Sequence, residues 1–279
     1  MRRWVPLLIM GIFLAAIWGC REAQPPTMSD EEAIRALISN LPYFGIDVEY
    51  TKPDTVEGPT KEPIQPIFWW REGTHLSIDL DIDIVGDSAF VTISRDCEGI
   101  LHIITGGDTI DTVDKPLHDT FLRYAVFKRD TVPGYYRGWR IWMVSGAEAT
   151  SDPNTVAIDS IRIQSTSYPD TVLTDPLTIV HRDDILTFGP NEQVIVTVYT
   201  NVDSACVFMH SFRRGPAGIR RHHRWRFTRV GNGIYEGVWY TPFAYGVHRA
   251  AVDVLHWNTL HDSEYMYDAN AWLFPYLVK

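Results

Sequence analysis

His75–Val91, HLSIDLDIDIVGDSAFV, is the stretch that decides the fold class. Leu76, Ile78, Leu80, Ile82 and Ile84 alternate with Ser77, Asp79, Asp81 and Asp83. A period of two sends successive side chains to opposite faces of an extended chain. The spacing predicts a long, half-buried strand, its aliphatic side turned to a core and its carboxylate side in water. Gly86-Asp87 then makes a tight turn, and Ala89, Val91 and Ile93 resume the alternation as the second arm of a hairpin. The ladder Asp79, Asp81, Asp83 reads as a solvated face or as a weak divalent-cation site. Its position opposite the aliphatic set favours the solvated face.

Working outward, SDEEAIRALISN (29–40) is the one clear helix signal. Ser29 and Glu32 have capping-box spacing, and Ala33, Ile34, Leu37, Ile38 and Leu41 form one apolar stripe that Pro42 ends. Residues 43–66 carry Pro53, Pro59, Pro63 and Pro66 and read as irregular. Downstream of the hairpin, strands are expected at 99–105, 118–128 and 139–145. This order resembles the NTF2-like (SnoaL-like) domain, in which an amphipathic helix lies across a strongly bent antiparallel sheet. The resemblance rests on the helix at 30–40, the run Val85-Gly86-Asp87-Ser88-Ala89-Phe90-Val91, Lys115, Arg123 with Phe127 and Lys128, and Gly138-Trp139-Arg140-Ile141. It covers residues 29–147 and departs from the family in offering one good helix where three are usual.

Residues 148–155, EATSDPNT, read as a linker. From 156 to 279 short alternating strands follow at close spacing, broken by Asn201-Val202-Asp203, Gly231-Asn232-Gly233 and Gly246. That pattern predicts a β-sandwich. Tyr235–Trp239 followed by Gly246–Val254 resembles the last hairpins of an Ig-like or fibronectin-III-like domain. The expected fold class is therefore mainly β: an α+β NTF2-like cone, then an Ig-like β-sandwich.

Composition agrees with a globular chain, since 45% of residues are hydrophobic and 22% charged. The net charge of −10 argues against nucleic acid as a partner. Of the three cysteines, Cys97 and Cys206 fall in strand-like runs, as buried thiols or as an inter-domain disulfide. The third is Cys20. Met1–Cys20, MRRWVPLLIMGIFLAAIWGC, has a cationic start and an apolar run too short to span a bilayer. Ile17, Gly19 and Cys20 resemble the lipobox of bacterial lipoproteins. That resemblance implies a signal peptide at 1–19, a diacylglycerol on the Cys20 sulfur, a polar tether over 20–28 and a place on the membrane of the cell envelope. Arg21, where inner-membrane lipoproteins commonly carry Asp, implies the outer membrane if the organism has one. An uncleaved signal anchor is the competing reading.

No Gly-rich phosphate loop, Gly-x-Ser-x-Gly elbow or Cys–His dyad is evident, and no cofactor or metal is expected. The parity of His102 and Arg123 points both inward, and with Tyr43 and Trp69 they would furnish a polar spot in an apolar pocket. A structural His and a buried, ion-paired Arg are the alternative. The segment 213–229 is the main basic departure: Arg213, Arg214, Arg220, Arg221, Arg224, Arg226 and Arg229 flank a Gly-Pro-Ala-Gly turn. It reads as an anion-binding rim for lipid headgroups or an anionic glycan, or as a solvated hairpin. Trp257, Tyr265 and Tyr267 read as a glycan platform or as aromatic filling. The expected role is a lipid-anchored envelope protein that binds or scaffolds. An isomerase- or dehydratase-type enzyme of the NTF2-like kind and a glycan binder are the alternatives.

Overall fold

The computed structural model describes residues 28–45, 65–106, 110–130, 135–214 and 220–279, with the backbone alone at 65, 67, 135, 212–214 and 220–221. Cys20, the leader and residues 20–27 of the tether lie outside the described residues. The protein is mainly β. Helix α1 spans Asp30–Asn40, and its capping box forms as the spacing predicts: Glu32 N–H donates to Ser29 Oγ at 3.1 Å and Ser29 N–H to Glu32 Oε2 at 2.6 Å. A 3-10 turn, Pro42–Phe44, follows. Four long strands then form a meander: β1 (Gln65–Val85), β2 (Ser88–Gly106), β3 (Asp111–Arg129) and β4 (Trp139–Ser151).

The remaining strands are β5 (Ile158–Gln164), β6 (Thr171–Leu173), β7 (Val180–His181), β8 (Leu186–Phe188), β9 (Gln193–Thr200), β10 (Ala205–Arg214), β11 (Arg220–Arg226), β12 (Thr228–Gly231), β13 (Ile234–Tyr240), β14 (Gly246–His256) and β15 (Ala269–Val278). A short helix α2, Trp257–His261, links β14 to β15. One sheet runs β1-β2-β3-β4-β15-β14-β10-β11, with β7 beside β4 and β8 beside β15; the other runs β12-β13-β9-β5-β6.

The first sheet is curled, and bulges and glycines bend it. Gly73 and Gly99 face each other across β1 and β2, next to a bulge. A Cβ on Gly99 would lie 2.1 Å from the Glu72 carbonyl oxygen, so only glycine allows this approach. The expected strand over 99–105 is the continuation of β2 beyond that bend. On the concave face α1 packs Ala33, Ile34, Leu37 and Ile38 against Val91, Ile93, Ala125, Phe127, Ile141 and Val144. At the far end Leu101, Ile103 and Leu117 meet Phe208, Leu255 and Leu260.

Two sequence expectations need correction here. The alternation of β1 is present, with Asp79, Asp81 and Asp83 exposed, yet Leu76, Ile78 and Ile84 are exposed too. An 11-residue helix is about 16 Å long, whereas a 21-residue strand reaches about 70 Å, so the stripe outruns its cover. Only Leu80 and Ile82 pack against the α1 cluster. Residues 148–151, read as linker, are the end of β4 and pair with β15 from Thr150↔Asn270 to Ala147↔Leu273. Segment 147–150 alternates Ala with polar residues, a strand pattern hidden by its small side chains.

Strands β10, β14 and β15 serve two cores. Their second face (Val207, Met209, Val252, Val254, Trp272, Phe274, Tyr276) packs on Ile161, Val194, Val196, Val198, Tyr235 and Trp239 of the second sheet. This is why β15 reads ANAWLFPYLV without alternation and is buried on both sides. Because Phe127 is fully buried between α1 and the 3-10 turn, stacked on Phe44 at 6.1 Å, Phe127→Ala is expected to cost about 3–5 kcal/mol, read as a lowered urea midpoint with α1 loosening first in hydrogen exchange.

Candidate functional site

The inner face of the curled sheet holds a buried polar array. Arg71 of β1 donates through both terminal nitrogens to Asp253 of β14, at 2.8 and 2.9 Å. Its Nε donates to the Tyr267 hydroxyl at 2.8 Å, which donates onward to Asp119 Oδ2 of β3 at 3.0 Å. On the other side of Asp253, His210 Nε2 lies 3.1 Å from Oδ2, and His210 Nδ1 lies 2.9 Å from His222 Nε2. All six side chains are buried. Burial would raise the Asp253 carboxyl, but Arg71 and His210 outweigh it and hold it well below the carboxylate range. Burial pushes His210 down to about 3, against the pull of Asp253. A neutral His210 donates from Nε2 to Asp253, so its Nδ1 accepts from His222.

Cations also fasten both ends of the concave face. At one end Arg95 (β2), Arg123 (β3) and Arg249 (β14) donate to the carbonyls of Phe44, Tyr43 and Pro42, Arg95 at 2.5 Å and Arg249 at 2.7 Å. Three guanidinium groups thus seat the 3-10 turn as a plug. At the other end Lys115 Nζ donates to the carbonyls of Thr259, Asp262 and Tyr265 at 2.5–2.7 Å, holding α2 and the turn after it. Burial pushes Lys115 down to about 8, opposed by Asp262 and Glu264.

The sequence-predicted residues divide. Arg123 and Tyr43 come together, through the Tyr43 carbonyl. Trp69 is buried at the opposite end, where Arg224 lies 3.9 Å above its ring and donates to its carbonyl at 3.1 Å. His102 is on the convex face, stacked on Trp70 at 4.6 Å and within 2.7 Å of Asp114 and 3.1 Å of Glu72. β2 keeps one parity throughout, with Ala89, Val91, Ile93, Cys97, Leu101 and Ile103 inward, which leaves His102 outward, so the four do not line one pocket.

Of the basic segment, Arg213↔Arg221 and Arg214↔Arg220 face each other across β10 and β11, with side chains outside the described residues. Arg224 turns inward and is absorbed by the core, while Arg226 stands 6.0 Å from the Trp257 ring. Tyr267 is buried, Tyr265 stacks on His256 at 4.6 Å and Trp257 on His261 at 3.6 Å. Cys97 and Cys206 are buried thiols that form no disulfide with each other. Cys206 Sγ lies 3.9 Å from His261 Nδ1, but that nitrogen is 3.0 Å from the Trp257 carbonyl and must carry the proton. It therefore cannot take one from the thiol.

Sequence reasoning missed Arg71, His210 and Asp253. Each is an ionisable residue within an apolar strand run: FWWR, CVFMHSF and AAVDVL. A charge in such a run needs a buried partner, which was the available signal. Cavities lie near these elements. A gap of about 20 Å³ between Trp69, Phe208, Arg224 and Leu260 holds no more than a water. A cleft of about 300 Å³ opens where β4 and β15 diverge, lined by Val144, Tyr168, Leu173, Ile185, Trp272 and Phe274. A further open space of about 310 Å³ is lined by Ala205, Arg226, Phe227, Tyr235 and Trp257, and none of the six residues of the array lines any of these cavities. Comparisons with family models, curated proteins and solved structures found no match to this chain.

Asp253→Ala strands Arg71 in the core and is expected to cost about 3–5 kcal/mol in chemical denaturation, whereas Arg71→Met with Asp253→Leu regains most of it. For His210 the folded pKa lies below the unfolded value of 6.5. Its contribution is complete above about pH 6.5 and is lost as pH falls toward 3, at up to about 1.4 kcal/mol per unit. Urea midpoints between pH 7.5 and 4.5 should fall for the native sequence and flatten for His210→Gln.

Proposed function

We propose that this protein is a lipid-anchored component of the bacterial cell envelope, tethered through Cys20, that binds or scaffolds a partner and performs no chemistry of its own. The observation that carries this reading is the paired interior. The groups suited to proton transfer are buried and bonded to protein partners, His222 to His210, His210 to Asp253 and Asp119 to Tyr267, and none of them lines a cavity described above. General acid–base catalysis needs such a group within reach of a substrate. The enzyme alternative is an isomerase or dehydratase with His102 as acid or base. It would place His102 beside Arg123, but the two occupy opposite faces of the sheet.

The finer fold assignment belongs to the same proposal. An amphipathic helix across a bent antiparallel meander supports an NTF2-like first half, and two face-packed sheets support an Ig-like second half. The shared strands β10, β14 and β15 depart from both families. A glycan platform at Trp257, Tyr265 and Tyr267 has less support, because these rings face protein neighbours. Among the described residues no helix is long and apolar enough to cross a membrane. The anchor would be lipid chains on Cys20, with the outer membrane as destination where one exists.

The test is metabolic labelling with an alkyne fatty acid. The native chain should label and sediment with membranes. Cys20→Ser should lose both label and sedimentation. An unlabelled native chain with its leader intact in the cytoplasm would overturn the assignment.

A further inference from the structure

We propose that the outer edge of β1 over Glu72–Asp79 is a docking site for an extended segment of a partner protein that alternates apolar with Lys or Arg residues and joins the sheet as an added strand. This deepens the binding role above by naming the surface and the partner chemistry.

β1 ends its sheet, and among the described residues no strand pairs with its outer edge. Residues 72–79 are exposed on both faces of the strand. The exposed stretch is bounded by the two covers of the concave face. Arg71 and α2 close it on one side. On the other, Arg35 of α1 donates to the Leu80 carbonyl at 3.3 Å. Between them Leu76 and Ile78 remain 49% and 54% exposed on the concave side. Eight residues of strand extend about 26 Å, the length of a short peptide added by β-augmentation.

Edge strands are usually blunted by shortness, lysine, proline or a cover. β1 is 21 residues long, and from Glu72 to Val85 it has neither lysine nor proline. The carboxylates of that span, Glu72, Asp79, Asp81 and Asp83, meet no Lys or Arg within it, and Asp96 and Glu98 of β2 lie on the same convex face. His102 pairs with Glu72 and His118 with Asp96. The aspartates of the ladder have no such partner among the described ion pairs. A second copy added antiparallel through β1 would set this ladder against itself, which is repulsive. A strand alternating apolar with basic residues would instead fill the Leu76–Ile78 face and neutralise the acidic one.

The test uses the full lipidated chain in neutral detergent micelles and a fluorescein-labelled heptapeptide of alternating Lys and Val. Counterparts carry Glu for Lys, or the same residues in blocks. Fluorescence anisotropy at low salt should show saturable binding of the alternating basic peptide, weakening as salt rises. Binding of the other two should be at least tenfold weaker. Ile78→Lys, and separately Asp79→Lys with Asp81→Lys, should each weaken binding at least tenfold, while Val230→Lys on the second sheet should not; circular dichroism checks that each variant is folded. Equal binding of all three peptides, or folded β1 variants that bind as well as the native chain, overturns the proposal. So does concentration-dependent dimerisation that Ile78→Lys abolishes, because the edge then serves a second copy. Cys20 labelling is independent of these substitutions. Failure here with intact labelling therefore removes the docking site and leaves the anchored protein standing.

Discussion

The ion pair between Arg71 and Asp253 is the constraint on which the architecture turns. The two residues are 182 apart in sequence and sit on strands at separate places in one sheet. They can meet only if that sheet curls until its first strand lies over its later ones. Two charges taken from water cost several kcal/mol each, and bidentate geometry with further hydrogen bonds must offset that cost. Tyr267, Asp119, His210 and His222 supply those bonds. The net contribution to stability is small, but the penalty for any geometry that separates the partners is large. The pair therefore selects one curl of the sheet out of many that would bury a similar apolar area.

A second kind of interaction repeats at the two ends of that curl. Lysine and arginine side chains reach across the concave face to backbone carbonyls of segments that have no regular partners of their own. Lys115 holds the turn after α2, and Arg95, Arg123 and Arg249 hold the turn after α1. Short irregular segments carry carbonyls that would be costly to bury unpaired. Supplying the donors from rigid strands lets such segments act as covers. It also explains why the interior carries so much positive charge in an acidic protein.

Much of the local structure was legible in the sequence, and most of the site was not. The capping box, the stripe of α1 and the Gly86-Asp87 hairpin depend on neighbours a few residues apart, and each forms where the spacing places it. Lys115 and Arg123 were singled out, though not the carbonyls they hold, which lie on segments distant in sequence. The outward position of His102 follows from unbroken alternation along β2 counted from Ala89, Val91 and Ile93, whereas counting from Ile100 and Ile104, in a run apolar on both faces, hides it. Alternation in β1 showed which residues share a face but not how far a helix of three turns would cover that face. Residues 148–151 looked like a linker because Ala and Thr are small. Only the partner strand, more than a hundred residues away, makes them part of a sheet.

The sharing of β15 bears on how the chain reaches its native state. Apart from the two-residue β7, the meander of β1 to β4 gains its lateral neighbour from β15, near the C-terminal end of the described chain, and the second sheet packs on that same strand. Until residues 269–278 have emerged, both cores lack one wall. Contacts of such long range are slow to close, and the loop entropy falls due before they form. A polypeptide built this way stays pliable while it is being made and becomes rigid all at once.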